Sequence, residues 1–175
     1  MRIEVSGTRL VHLICGSTGA GKTTYAKALA AELGAVHFSI DQWMATLYWP
    51  DAATPIDPAW AMERVERSNT QIWATAKQVA ALGTPVILDL GFTSKESRRR
   101  MATLAQDAGF GVQLHVLDIP AEERWRRTQA RETGPADEHR LPFAITREMF
   151  DYVETLWQPP NESEMATLGG IHMTG

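Results

Sequence analysis

Residues Gly16-Ser17-Thr18-Gly19-Ala20-Gly21-Lys22-Thr23 read GSTGAGKT, with an apolar run before them and a helical pattern after. Glycines at these spacings let the backbone enter conformations closed to other residues, so consecutive N–H groups can converge on one anion. The octet is a phosphate-binding P-loop. Lys22 is placed to reach the β- and γ-phosphates, the Thr23 hydroxyl to ligate Mg²⁺, and the helix starting there to add its positive dipole end. The expected nucleotide contacts are Gly16, Ser17, Thr18, Gly19, Ala20, Gly21, Lys22, Thr23 and Thr24, with ATP and Mg²⁺ as cofactors. An ordinary glycine-rich turn is the alternative, and the flanking strand and helix patterns argue against it.

Working outward, apolar β-branched runs bounded by turn signals predict strands over Leu10 to Cys15, Val36 to Ile40, Val86 to Leu90 and Val112 to Ile119. Helical patterns fill the gaps at Lys22 to Leu33, Pro58 to Leu82 and Ser94 to Ala108, each ending near a glycine. Thr93-Ser94-Lys95-Glu96 has the form of a capping box. Ala121 to Glu132 reads as a charged helix, Thr133 to Pro142 as a polar loop able to move, and Thr146 to Trp157 as an amphipathic helix stopped by Pro159-Pro160. Met165 to Met173 reads equally as a short last strand or a frayed end. Alternation of strand and helix predicts a three-layer α/β/α P-loop NTPase fold. Its sheet is mostly parallel, of four or five strands, in a single domain over residues 1–175 with a short helical lid at about 121–142.

The 175 residues suffice to bury a core without staples, and 44% apolar with 22% charged residues is ordinary for a globular chain. A net charge of -4 and a pI near 5.7 argue against broad electrostatic binding to nucleic acid. Cys15, the one cysteine, reads as a small buried hydrophobe, and the absence of a long apolar stretch makes the cytoplasm the expected address, without membrane contact. Five histidines without ligand-like pairing give no zinc motif.

A GTPase would need an Asn-Lys-x-Asp motif, which is absent, and the chain is short for a motor or transporter ATPase. Phosphoryl transfer needs a carboxylate to take a proton, a metal, and cations for the charge on the transferred group. Asp41 follows the second strand and is the candidate general base; a helix N-cap for the segment from Gln42 is its alternative. Asp89 ends the third strand in the place of an acid that holds Mg²⁺, or is a strand-end turn residue. Arg124, Arg127 and Arg131 share a helix face able to close on phosphates, or to lie solvated against Glu122 and Glu123. Trp43, Tyr48 and Trp49 after Asp41 suit an acceptor surface or a satellite cluster, and Arg64 suits an acceptor anion or solvent.

These residues together resemble the small P-loop kinases grouped with polynucleotide 5′-hydroxyl kinases, chloramphenicol phosphotransferase and zeta toxins. The resemblance rests on the P-loop, Asp41, the run Gly83 to Phe92, Arg98, Ala108-Gly109, the strand ending Asp118-Ile119-Pro120, and Arg127-x-x-x-Arg131. It implies ATP-dependent phosphorylation of a hydroxyl, with Asp41 as base, Lys22, Arg127 and Arg131 in catalysis, and Arg98 on the substrate side. Polynucleotide kinases carry an arginine just after the catalytic aspartate, where this chain reads Asp41-Gln42-Trp43. The departure favours a small-molecule acceptor over a polynucleotide or nucleoside. A nucleotide-sensing module without transfer chemistry is the third reading.

Overall fold

The computed structural model describes residues 10–133 and 144–174. Strands β1 (Leu10–Cys15), β2 (Val36–Ser39), β3 (Val86–Asp89), β4 (Gly111–Leu117) and β5 (Ile171–Met173) form one sheet in the order β2-β3-β1-β4-β5. All neighbours pair in parallel. Helices α1 (Lys22–Leu33), α2 (Ile40–Leu47), α3 (Pro58–Ala81), α4 (Lys95–Asp107), α5 (Ala121–Thr133), α6 (Arg147–Leu156) and α7 (Glu162–Thr167) connect and cover it. No helix among the described residues is long and apolar enough to cross a membrane.

A parallel sheet covered on both faces needs strands that are apolar on both. In β1, Val11, Leu13 and Cys15 enter the core shared with α3 and α4, while Ile14 enters a second core with Ala26 of α1, Ile87 and Leu117. Leu13, Ile14, Ile87, Leu88 and Leu114 are wholly buried, each contributing about 1.5–3 kcal/mol by leaving water. Cys15 is buried as expected, and burial pushes its thiol up to about 12.

Several elements depart from expectation. Residues 40–47 form α2, the helix offered from Gln42 as the alternative to a catalytic Asp41, but its cap is the Ser39 hydroxyl, which accepts from the Gln42 N–H, and not Asp41. That helix ends β2 one residue early. Leu90 follows Asp89 into a turn, and β4 starts and stops early, at Gly111 and Leu117. The N-cap of α4 is Ser94 rather than Thr93: Ser94 Oγ accepts from the Ser97 N–H, and serine stands three residues on where a box would have glutamate. The tail, open in the sequence, is helix α7 followed by a true strand, β5, paired along β4. The predicted mobile loop lies, from residue 134 to 142, outside the described residues.

Under α1 runs a buried polar chain. His12 Nδ1 stands 3.0 Å from His115 Nε2, and the Tyr25 hydroxyl lies 2.8 Å from His115 Nδ1. Burial, then the field of His12, brings His115 down to about 4, and burial also lowers His12. Both rings are neutral in the fold, so below pH ~6.5 the unfolded chain takes up protons that the folded chain refuses. Stability is therefore full above that pH and falls as the pH drops through the window, by up to about 1.4 kcal/mol per pH unit per ring. Urea unfolding at about pH 7, 6 and 5 is expected to show the decline, and His115→Gln to flatten it. A wild-type stability that is level across this range would contradict the assignment.

Candidate nucleotide-binding site

The crevice lies at the carboxyl ends of β1 and β3, where connections leave in opposite directions along the sheet. β1 delivers the P-loop and β3 delivers Asp89. Gly21 is the N-cap of α1 at φ 87°, with no side chain capping the first turn, so the N–H groups there stay directed at the cleft. Gly19, at φ 78°, passes so close to α5 that a Cβ would stand 2.5 Å from the Arg124 carbonyl oxygen and 2.8 Å from Thr128 Oγ1. Only glycine fits there.

Lys22 folds back along the loop, its Nζ donating to the Ser17 carbonyl at 3.0 Å. Burial lowers its pKa, opposed by the carboxylates of Asp89 and then Asp41, which flank the ammonium. The Thr23 hydroxyl donates to Asp89 Oδ2 at 2.8 Å. Asp89 is buried, and His37 Nε2, a buried nitrogen with no hydrogen-bond partner among the described residues, approaches that oxygen at 3.5 Å. A hydroxyl and a buried carboxylate make a hard oxygen set that fits Mg²⁺, an ion held by few protein ligands with water and phosphate completing the shell. Thr23 and Asp89 are the residues that would hold it.

Asp41 sits exposed in the first turn of α2, one residue past Ile40, and the cap is Ser39. Asp41, Lys22, Thr23, Thr24, Asp89, Arg127 and Arg131 line one cleft of ≈ 960 Å³. Arg127 is held by Glu123 at 2.9 Å and stands over Gly21.

Arg124, expected to touch nucleotide, takes a different position. Its guanidinium is buried beneath the loop, donating to the Thr18 carbonyl at 3.1 Å, the Ile119 carbonyl at 2.7 Å, and both Glu154 oxygens of α6 at 2.7 and 2.5 Å. The Ser17 hydroxyl donates to the same Glu154 carboxylate, which the hydrogen bond from Arg124 holds below the usual range. Arg98 is likewise internal. It is wholly buried, paired with Glu164 of α7 at 2.6 and 3.1 Å, and donates to the Phe92 carbonyl at 3.1 Å. Trp43, Tyr48 and Trp49 pack on the core beside α3 and do not line the cleft. Arg64 lies over the Trp60 ring at 3.9 Å and donates to the Trp60 carbonyl. The sequence reading missed Glu154, Thr128 and Lys27, the last lining the cleft from α1. Lys27 follows Lys22 by five residues on the same helix; Glu154, 137 residues from its partner Ser17, left no local signal.

The model of the AAA domain family matches residues 11–156. The chain belongs to that family. Among solved structures, this AAA domain is similar to a sugar kinase from Janibacter sp. HTCC2649, 18% identical, covering 96% of this chain and 86% of that one with a TM-score of 0.65. It is also similar to the APS kinase CysC of Mycobacterium tuberculosis, solved with AMPPNP and APS: 18% identity, 95% and 88% covered, TM-score 0.63. Kti12 of Chaetomium thermophilum, solved with ADP-AlF3, gives 18%, 94% and 88%, and 0.67. No curated protein matches the chain. Likeness at these identities establishes a P-loop kinase fold for the AAA domain.

Gly19→Ala is expected to cost about 2–4 kcal/mol, from a strained φ and overpacking against α5, and to abolish nucleotide binding. Thermal denaturation with and without ATP measures both. Arg98→Ala, which strands Glu164 as an unpaired buried carboxylate, is expected to cost about 3–5 kcal/mol. Full stability with weakened acceptor binding would return Arg98 to the substrate side.

Proposed function

We propose that this AAA domain is an ATP-dependent kinase that transfers the γ-phosphate to a hydroxyl of a small molecule. The observation that carries it is one cleft holding a solvent-reaching carboxylate, Asp41, together with Lys22, the Thr23–Asp89 pair and two arginines of α5. A sensor of nucleotide needs the phosphate end alone. An exposed carboxylate in the same cleft as the loop is the part that transfer to a second molecule requires.

In this reading Asp41 takes the proton of the acceptor hydroxyl as its oxygen bonds to the γ-phosphorus. The bond from that phosphorus to the bridging oxygen breaks, and ADP leaves with the electron pair. Lys22 and the N–H groups of the loop hold the donor phosphates, while Arg127 and Arg131 offer guanidinium donors to the charge on the group in flight. Thr23 and Asp89 would hold Mg²⁺, which when bound would neutralise charge at the phosphates.

The cleft lining includes Ile40, Gly91 and Thr93, while the aromatic residues that follow Asp41, Trp43, Tyr48 and Trp49, pack on the core. That favours a compact polyhydroxyl acceptor over a planar one that needs stacking.

Asp41→Asn is expected to lower acceptor-dependent ADP formation about 10²- to 10⁴-fold with ATP affinity unchanged. A screen of sugars, aminoglycosides, nucleosides and 5′-hydroxyl oligonucleotides identifies the acceptor first. Undiminished turnover in the asparagine variant would remove Asp41 as base, and ADP formation independent of any acceptor would favour the sensing module.

A further inference from the structure

His37 does not line the cleft. It lies on β2 opposite Ile87 of β3, two residues before Ser39, which pairs with Asp89. Alternation along a strand therefore puts His37 and Asp89 on the same face of the sheet, as diagonal neighbours. The side chain of His37 is 12% exposed and that of Asp89 is 5% exposed. Its Nε2 is buried without a hydrogen-bond partner, and the Asp89 oxygen that accepts from Thr23 is 3.5 Å away. That separation is just beyond a normal N–H···O bond.

A buried polar nitrogen left unsatisfied is destabilising, so a core position would be better served by valine or isoleucine unless the nitrogen has a task. The carboxylate beside it must keep one orientation, with one oxygen on the Thr23 hydroxyl. Two donors converging on that oxygen would fix the carboxylate's torsion, whereas one donor leaves it free to swing about the bond.

We propose that His37 is a positioning residue for the metal site: its Nε2–H holds the Asp89 carboxylate toward Thr23 and thereby sets the affinity for Mg²⁺. The proposal rests on the assignment of Thr23 and Asp89 to the metal, and is independent of any acceptor. Groups that orient metal-binding side chains in this way are typically worth about 10- to 100-fold in metal affinity.

The test reads nucleotide binding, without an acceptor. A fluorescent ATP analogue is titrated into the full chain in EDTA and then across a MgCl₂ series, for wild type, His37→Gln, His37→Asn and His37→Leu. Glutamine carries an amide N–H to about where the imidazole Nε2 stands; asparagine is polar but too short, and leucine has no donor. The Mg²⁺ concentration for half-maximal tightening is expected to rise about 10- to 100-fold in His37→Asn and His37→Leu and to stay near wild type in His37→Gln, with binding in EDTA equal in all four. Asparagine guards against a folding defect in the leucine variant, and urea midpoints are measured alongside. An unchanged Mg²⁺ requirement in the asparagine variant, or losses of equal size with and without the metal, overturns the proposal. A wild type that Mg²⁺ does not help overturns the metal assignment and this proposal together, while leaving Asp41 to its own test.

Discussion

A loop that turns its N–H groups toward an anion must turn its carbonyls the other way, into the protein, where each needs a donor. This constraint organises the site. The Ser17 carbonyl is met by Lys22 and by the Ala20 N–H at 3.3 Å, and the Thr18 carbonyl by Arg124. A guanidinium buried for that purpose needs a counter-charge, which Glu154 supplies from α6 while also accepting from Ser17. The phosphate face of the loop thus depends on two helices that lie more than a hundred residues further along the chain.

The architecture was legible because parallel strands covered on both faces have few alternatives: the runs at Leu10, Val36, Val86 and Val112 are where the strands lie, to within two residues. The P-loop was legible because its function is carried by backbone conformation, and glycine spacing records that directly. Helix α2 was legible only as an alternative reading of Asp41, with the wrong cap, since Ile40 to Leu47 is short and its apolar residues read as readily as a loop packed on the core. The last strand was ambiguous because three residues carry too little pattern; its place is set by pairing with β4. The roles of the arginines were hardest. Arg98, Arg124, Arg127 and Arg131 look alike in sequence, and only the third dimension separates two buried structural cations from two that line the cleft. What distinguishes them is a distant acid, Glu164 or Glu154, with no periodic relation to its partner.

Both pairs, one buried and one part-buried, join a helix near the site to a helix further toward the C-terminus. Pairs of this kind contribute little net stability against an apolar alternative, yet breaking one is expensive, so they act mainly by specifying which helix sits where. Arg98 ties α4 to α7 and so sets the helix that leads into β5; Arg124 ties α5 to α6 and so sets the wall of the cleft at Met149, Phe150 and Val153.

The contact between Gly19 and the first turns of α5 also bears on how the site meets its nucleotide. The Arg124 carbonyl and Thr128 hydroxyl lie against the loop backbone at Gly19, and the Arg124 guanidinium donates to the Thr18 carbonyl, so the base of α5 is packed on the loop and hydrogen-bonded to it. The spacing between Lys22 and the root of Arg127 is thereby set before any ligand arrives. Binding then costs the rotamer freedom of a few long side chains, about 0.5–1.5 kcal/mol for each one immobilised, and spares the larger penalty of ordering backbone. Among the described residues, the phosphate end of the cleft is built on packed backbone, and the freedom left there belongs to the tips of its cations.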